Sequence, residues 1–279
     1  MNNLKMYCLT MNPMHLNLIK KIGYIPVGLG SKNFSNDFLT DKSKINIAQK
    51  NSSYGEYTFH YWLWQNQKLT DLNTWIGFCQ YRKFWSENLS IQKDNSISNF
   101  DSFNNSLLKK ITYEFEKYDS ILGEELYVNE FKFSKFLKKN FLNMIRKPEL
   151  FYNKKKRTIK FHFDLMHGSG NLEKAIELLN QDDRSDFKYF VNTEVSFNPH
   201  NMFICKSSKI LLKYYESVFS WLKKCEEIFG FKETNVYGLK RIYGFLAERY
   251  LSYWFKKYTK YTVLPIIFKD IGDFNYKAL

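Results

Sequence analysis

Short apolar runs alternate with amphipathic stretches from the start of the chain. Lys5 to Thr10 predicts a strand, Met14 to Ile22 a helix, and Tyr24 to Leu29 a second strand that stops at Gly30. The polar stretch 31–44 reads as loop. Tyr57, Tyr61 and Trp64 recur at helical spacing, so a helix is expected from Ser53, punctuated by Glu56, His60 and Gln65. Asp71 and Asn73 break it, and Trp75 to Cys79 is the next strand. Residues 86–117 predict a polar helical excursion, followed by a strand at Tyr118 to Leu122.

A basic, aromatic excursion over 130–160 comes next. Gly168 to Asn171 predicts a turn with Asn171 as the N-cap of a helix from Leu172 to Leu179. Pro199 to Cys205 reads as a strand, and two long helices are expected at about 207–228 and 235–257. Strands alternating with helices predict an α/β fold on a mostly parallel sheet, in one domain over 1–279. Ligands of such sheets bind at the carboxyl ends of the strands. The residues that follow Thr10, Gly28, Cys79, Leu122 and Cys205 therefore come first as site candidates.

Composition narrows the class. With 279 residues, 44% of them hydrophobic and 25% charged, the chain can bury a sizeable core, and wholesale disorder is excluded. Its 26 Phe, 20 Tyr and 6 Trp fill cores, and Tyr and Trp also stack on sugars and bases. A net charge of +14 implies an anionic partner: nucleic acid, a phosphorylated small molecule or an anionic membrane surface. Eleven Lys or Arg fall between Lys132 and Lys160 against one acid, Glu149; such a run is ordinarily a solvated face or a loop. Cys8, Cys79, Cys205 and Cys225 form no CxxC pair, which suits buried thiols in a reducing cytoplasm. The first residues carry no continuous apolar core of a secretory leader, and no eighteen-residue apolar run suggests a membrane span.

GxGxxG, GxxxxGK[ST] and GxSxG are all absent, and Gly28-Leu29-Gly30 reads as a tight turn. His162, Asp164 and His167 are spaced like no standard zinc site. Arg82 and Lys83 are more informative. At the mouth of a strand they would offer a bidentate and a point-charge donor to a diphosphate, or else form a cationic pair in a surface turn. In the far helix, Glu248 is either an ion-pair partner of Arg249 or Arg241, or a general base if it faces the sheet mouth.

Several ordered motifs together carry a resemblance. Asn46-Ile-Ala-Gln-Lys50-Asn51, then Tyr54, Glu56, Thr58, Tyr61-Trp62 and Trp64-Gln65-Asn66, is similar to NISxKNxxYxELTxxYWxWKN. Trp75 to Trp85 mirrors YxGLxHYRRYF, Tyr118 to Leu122 mirrors YDIIL, and His167 to Leu179 loosely follows HxxxDLxxxxxII. Pro199 to Lys206 resembles YNMFIMKK, and Gly244 to Phe255 resembles GFLAERLxxxWL. Over nearly its whole length the chain thus resembles the bacterial domain-of-unknown-function family 4422, found in capsule and O-antigen clusters as a glycosyltransferase.

That resemblance implies a GT-A-like, Rossmann-type sheet flanked by helices. It also implies sugar transfer from a nucleotide-sugar donor, a UDP-hexose or UDP-galactofuranose, to a growing surface polysaccharide or a polyprenyl-diphosphate-linked glycan. Where many GT-A enzymes place a metal-binding Asp-x-Asp, this chain has Gln80-Tyr81-Arg82, so no cofactor and no divalent metal is expected. Inverting transfer would use Glu248 as base, with Asp164 and Glu194 as alternates. The donor would be bound by residues from Thr10, Asn46, Lys50, Glu56, Tyr81, Arg82, Lys83, His200, Asn201 and Arg249. Tyr81 and Trp85 either stack on a ring or pack in the core. The family's HYRR is Gln80-Tyr-Arg-Lys83 here and its ELTAL is Glu56-Tyr-Thr-Phe-His60, departures that suggest a different sugar from the family's commonest. The basic segment, interleaved with Phe133, Phe136, Phe141, Phe151 and Tyr152, gains a second reading as a peripheral contact to the anionic inner face of the plasma membrane. A nucleic-acid-binding protein is the alternative by charge, but no recognised motif supports it, so no nucleic-acid partner is expected; a catalytically inactive nucleotide-sugar-binding relative is the third reading.

Overall fold

The computed structural model describes residues 3–66, 74–87, 97, 99–130, 152–231 and 236–277. The chain divides into two compact units: the first holds 1–124, 201–216 and 255–279, and the second holds 125–200 and 217–254.

Among the described residues, the first unit is built on a nine-stranded sheet. Its strands are β1 (Leu4–Thr10), β2 (Ile25–Gly28), β3 (Leu39–Thr40), β4 (Trp75–Gln80), β5 (Lys83–Trp85), β6 (Ser120–Gly123), β9 (Phe203–Cys205), β10 (Tyr261–Leu264) and β11 (Ile266–Phe268). The main path runs β10-β6-β9-β4-β1-β2-β3. Only β9 opposes the others along it, since β1–β2, β1–β4, β2–β3 and β6–β10 are parallel while β9 is antiparallel to both β4 and β6. The expected mostly parallel α/β sheet is therefore what forms. Because β2 lies on one side of β1 and β4 on the other, the winding reverses at β1, and the crevice beyond its carboxyl end is where such sheets bind ligands.

Strand alternation sorts the core. Tyr7 pairs in register with Phe78, and Cys8 with Cys79, so each strand sends alternate residues to opposite faces. Met6, Cys8, Trp75 and Cys79 join Leu18, Ile19 and Ile22 from the first helices in one cluster. On the other face Tyr7 stacks on Phe78 at 5.5 Å, and His60, from the helix Tyr57–Asn66, meets Phe78 at 4.4 Å. Burying a side chain the size of Phe78 stabilises by about 1.5–3 kcal/mol. All four cysteines are free and buried, and burial pushes the Cys79 and Cys205 thiols up.

The second unit holds the two-stranded pairing of β7 (Leu126–Tyr127) with β8 (Ser196–Phe197), together with helices Ile159–His167, Asn171–Glu177 and Gln181–Thr193. Asp183 accepts hydrogen bonds from the Tyr250 and Tyr253 hydroxyls, each at 2.8 Å, and so fastens the last of these helices to Ile242–Tyr258.

The structure departs from the local expectations at several points. The helix expected from Ser53 is broken at Gly55, whose φ of 59° and ψ of −131° interrupt the ladder between Asn51–Tyr54 and Tyr57–Asn66. Asn171 is not the N-cap of its helix; Gly170 holds that position, and Asn171 donates its Nδ2 back to the His167 carbonyl at 2.7 Å. Pro199 to Cys205 is not one strand, because His200 (φ 82°) and Asn201 (φ 55°) are both left-handed and turn the chain between β8 and β9. Finally, β10 and β11 went unforeseen, although Thr262, Val263, Ile266 and Ile267 are β-branched residues of strand type.

Candidate functional site

β4 ends in a two-residue turn: Gln80 pairs antiparallel with Lys83, leaving Tyr81 and Arg82 at the tip. The C-terminal segment clasps this turn. Lys269 N–H donates to the Arg82 carbonyl at 3.2 Å, and Ile271 N–H to the Tyr81 carbonyl at 2.9 Å. Arg82 is exposed, with its guanidinium 4.9 Å from the centre of the Tyr81 ring. Lys83 Nζ donates to Gln80 Oε1 at 3.3 Å, and Gln80 Nε2 donates to Glu56 Oε1 at 3.1 Å.

Beside the turn lies a cleft of about 470 Å³, all of it within the first unit. It is lined by Met11, Asn12 and His15 after β1, by Leu29, Ser31 and Lys32 after β2, by Tyr81 after β4, and by Asp270, Gly272 and Asp273 after β11. This is the crevice that the reversal of winding at β1 creates, and its size falls in the range of small-molecule sites.

His15 is the cleft's most tightly defined group. Met14 N–H donates to Asn12 Oδ1 at 3.2 Å, which turns Asn12 Nδ2 toward His15 Nε2 at 3.3 Å. Nε2 is therefore an acceptor, and Nδ1–H donates to Thr10 Oγ1 at 2.9 Å. The ring is the neutral Nδ1–H tautomer. Burial lowers its pKa below the usual value, the Asp270 carboxylate opposes that, and the Lys32 cation adds to it. Lys32 is thus the lysine of the lining, and among the described residues no carboxylate pairs with it.

The second unit carries a different constellation. Glu248 Oε1 accepts the His200 N–H at 2.6 Å, and Oε2 is ion-paired with Arg249. The Arg249 side chain is 2% exposed and that of Glu248 12%. The guanidinium lies 4.3 Å from the Phe197 ring centre and 5.5 Å from that of Phe163, and it reaches His162 Nδ1 at 3.3 Å. An aromatic cage of this kind partly replaces the water that a buried cation loses. His162 and His167 are held neutral: burial, with Arg249 adding, lowers them to about 3 and about 2.

A family model described as domain of unknown function (DUF4422) matches residues 5–260. The chain belongs to that family. A solved structure described as WbbM bifunctional glycosyltransferase, in its apo form, is similar to it in fold, with a TM-score of 0.69 at 20% identity. The match covers 96% of this chain and 45% of that one, so the chain spans less than half of that protein's length. No curated protein matches it.

Among the residues expected to bind the donor in this DUF4422 chain, Tyr81 lines the cleft. Thr10 lies behind it, holding His15 and accepting Asn12 N–H at 3.0 Å. Asn46 is occupied in its own loop, donating to the Lys44 carbonyl at 2.9 Å, and Lys50 ends a short 3-10 turn. Glu56 braces Gln80, and Trp85 belongs to the core. Arg249 is buried against its cage rather than presented to a ligand. Asp164 accepts from Lys160 Nζ at 2.6 Å and from Gly170 N–H at 3.2 Å, while Glu194 is exposed at the end of Gln181–Thr193. Met11, Asn12, Leu29 and Ser31 were reachable by looking just beyond Thr10 and Gly28; Lys32 lies farther along the same loop. Asp270 and its neighbours were not, because the strands that deliver them were unrecognised.

Among the described residues, no group of three or more His, Cys, Asp or Glu side chains could hold a metal ion, and the Gln80-Tyr81-Arg82 turn supplies no carboxylate. No helix among them is long and apolar enough to cross a membrane. Of the basic segment, 131–151 falls outside the described residues, with Phe133, Phe136, Phe141 and Phe151. Tyr152 is 79% exposed and Lys154–Lys156 form an exposed turn, whereas Arg157 is buried and donates to the Asn129 carbonyl at 3.2 Å.

Proposed function

We propose that this chain is a glycosyltransferase that moves a sugar from a nucleotide-sugar donor, foremost a UDP-hexose or UDP-galactofuranose, to a surface-polysaccharide or lipid-linked glycan acceptor. The observation that carries this reading is the cleft beyond β1, β2 and β4, at the position where an open parallel sheet binds nucleotides. The shared fold with a protein described as a bifunctional glycosyltransferase supports it.

In this reading Tyr81 offers a ring face to the nucleotide and Lys32 neutralises its phosphates, with Arg82 as a second cation on the adjoining turn. The reaction breaks the anomeric carbon–oxygen bond to the diphosphate and forms one to the acceptor oxygen, and the acceptor proton passes to a carboxylate. Glu248 is the base we assign. His200 N–H and Arg249 orient its two oxygens, each of which retains a further lone pair. Asp164 and Glu194 are the alternates. Such transfer inverts the anomeric centre, and cationic side chains take the place of a metal ion at the diphosphate. The exposed Tyr152 and Lys154–Lys156 suit peripheral contact with an anionic membrane.

A thermal-shift screen of UDP-, GDP-, CMP- and dTDP-sugars tests the reading, followed by nucleotide release with the best binder. Stabilisation by a nucleotide sugar and release of its nucleotide are expected. Stabilisation by none of the panel rejects the reading.

A further inference from the structure

We propose that Asp270 accepts hydrogen bonds from the ribose hydroxyls of the bound nucleotide, so that the cleft selects ribonucleoside over deoxyribonucleoside diphosphates. This rests on the donor-site reading above and deepens it. Asp270 lies beyond residues 5–260, the span matched by the family model.

The wall that carries Asp270 is rigid. The two backbone bonds to Arg82 and Tyr81 hold it against the β4–β5 turn, and Gly272 N–H donates to Asp270 Oδ1 at 2.9 Å, which fixes the carboxylate's rotamer. Gly272 is required for this close fit: a Cβ there would lie 2.9 Å from His15 Nε2 and 3.1 Å from Asp270 Oδ1. The carboxylate thus stands against the His15 ring with its second oxygen uncommitted. Asp273, by contrast, is paired with Lys269 at 3.1 Å. Among the described residues no cation pairs with Asp270.

Lys32 and Asp270 line one cleft together with His15, Lys32 after β2 and Asp270 in the C-terminal wall. Groups that they contact on one ligand lie within the span of that cleft. In a nucleoside diphosphate the ribose is bonded directly to the α-phosphate, whereas the N–H donors of the base lie farther away. With phosphate at Lys32, the group that reaches Asp270 is the ribose. An ionised carboxylate only accepts, and ribose hydroxyls donate, so the pairing is chemically matched. His15 adds no competing charge, being neutral with both nitrogens engaged.

Calorimetric titration of the full chain tests this, with UDP and GDP first and then the 2′-deoxy and 3′-deoxy forms of the tighter binder. Wild type is expected to lose about tenfold or more in affinity when a contacted hydroxyl is removed. Asp270→Asn keeps the acceptor for Gly272 N–H; it is expected to weaken ribonucleotide binding by a similar factor and to discriminate against the deoxy form less than threefold. Wild type binding both deoxy forms as tightly as the parent overturns the inference, and so does an Asp270→Asn protein that keeps the full preference. Binding of neither UDP nor GDP overturns this inference, and the donor-site reading falls with it when no sugar of the thermal-shift panel stabilises the chain either.

Discussion

Asn12 donates its side-chain amide to His15 Nε2 at 3.3 Å, and that bond fixes the imidazole as the neutral Nδ1–H form. A positively charged ring at this place would have been a natural phosphate ligand; a neutral one is a wall. The distinction is measurable. Long-range proton–nitrogen spectra at pH 6.5 are expected to show His15 Nε2 unprotonated, and a doubly protonated ring at that pH would contradict the assignment.

With His15 neutral, Lys32 is the cation of the lining to which the donor-site reading assigns the nucleotide's phosphates. Lys32→Ala is expected to weaken UDP binding by about tenfold, as loss of a charge-assisted contact does, and to flatten its salt dependence. Arg82→Ala is expected to cost less than threefold, since its side chain is exposed at the turn tip and stacked on Tyr81. Titrations at two ionic strengths read both effects, and the reverse ranking would move the phosphates toward the turn.

Glu248 is held at both oxygens. Glu248→Gln keeps an acceptor for His200 N–H or Arg249 but cannot take a proton, so transfer is expected to fall about 10²–10⁴-fold while donor affinity stays within about threefold. Near-UV circular dichroism checks that the fold survives. A rate within tenfold of wild type would remove Glu248 from the role and turn attention to Asp164 and Glu194.

Buried histidines set the response to acid. His60 and His162 are lowered to about 3 and His167 to about 2, mainly by burial, against about 6.5 in an unfolded chain. Between those values the unfolded chain binds protons that the native state does not, so stability is fully present above pH 6.5 and falls as pH drops toward 3. Each imidazole contributes about 1.4 kcal/mol per pH unit to that slope. Urea midpoints measured from pH 7.5 to 4.5 are expected to fall steeply, and His60→Phe is expected to lower the slope for the first unit. A flat profile would mean that the rings are protonated in the native state.

Apolar runs of strand length were enough to place β1, β2, β4 and β6, because each is a nearly continuous buried strand. The breaks were harder to see. Gly55 sits inside a good helical pattern, and His200-Asn201 inside an apolar run, yet each depends on a positive φ that hydrophobic spacing does not encode. In the site, the position of the crevice followed from strand order, but its far wall comes from Asp270 to Asp273, distant in sequence and joined to Tyr81 only through backbone bonds. For Arg249 the resemblance implied contact with the donor, and the spacing showed only an ion pair with Glu248; the enclosure of its guanidinium by Phe163 and Phe197 is a matter of packing that neither encodes.

The most direct test of the account is nucleotide release by the purified full chain from UDP-hexoses and UDP-galactofuranose, measured with and without EDTA. Release of UDP from one of these donors, undiminished by EDTA, is the expected result. No release from any of them, with no UDP binding by calorimetry, would contradict the account at its centre; release lost in EDTA and restored by manganese would leave the transferase and reject its metal independence.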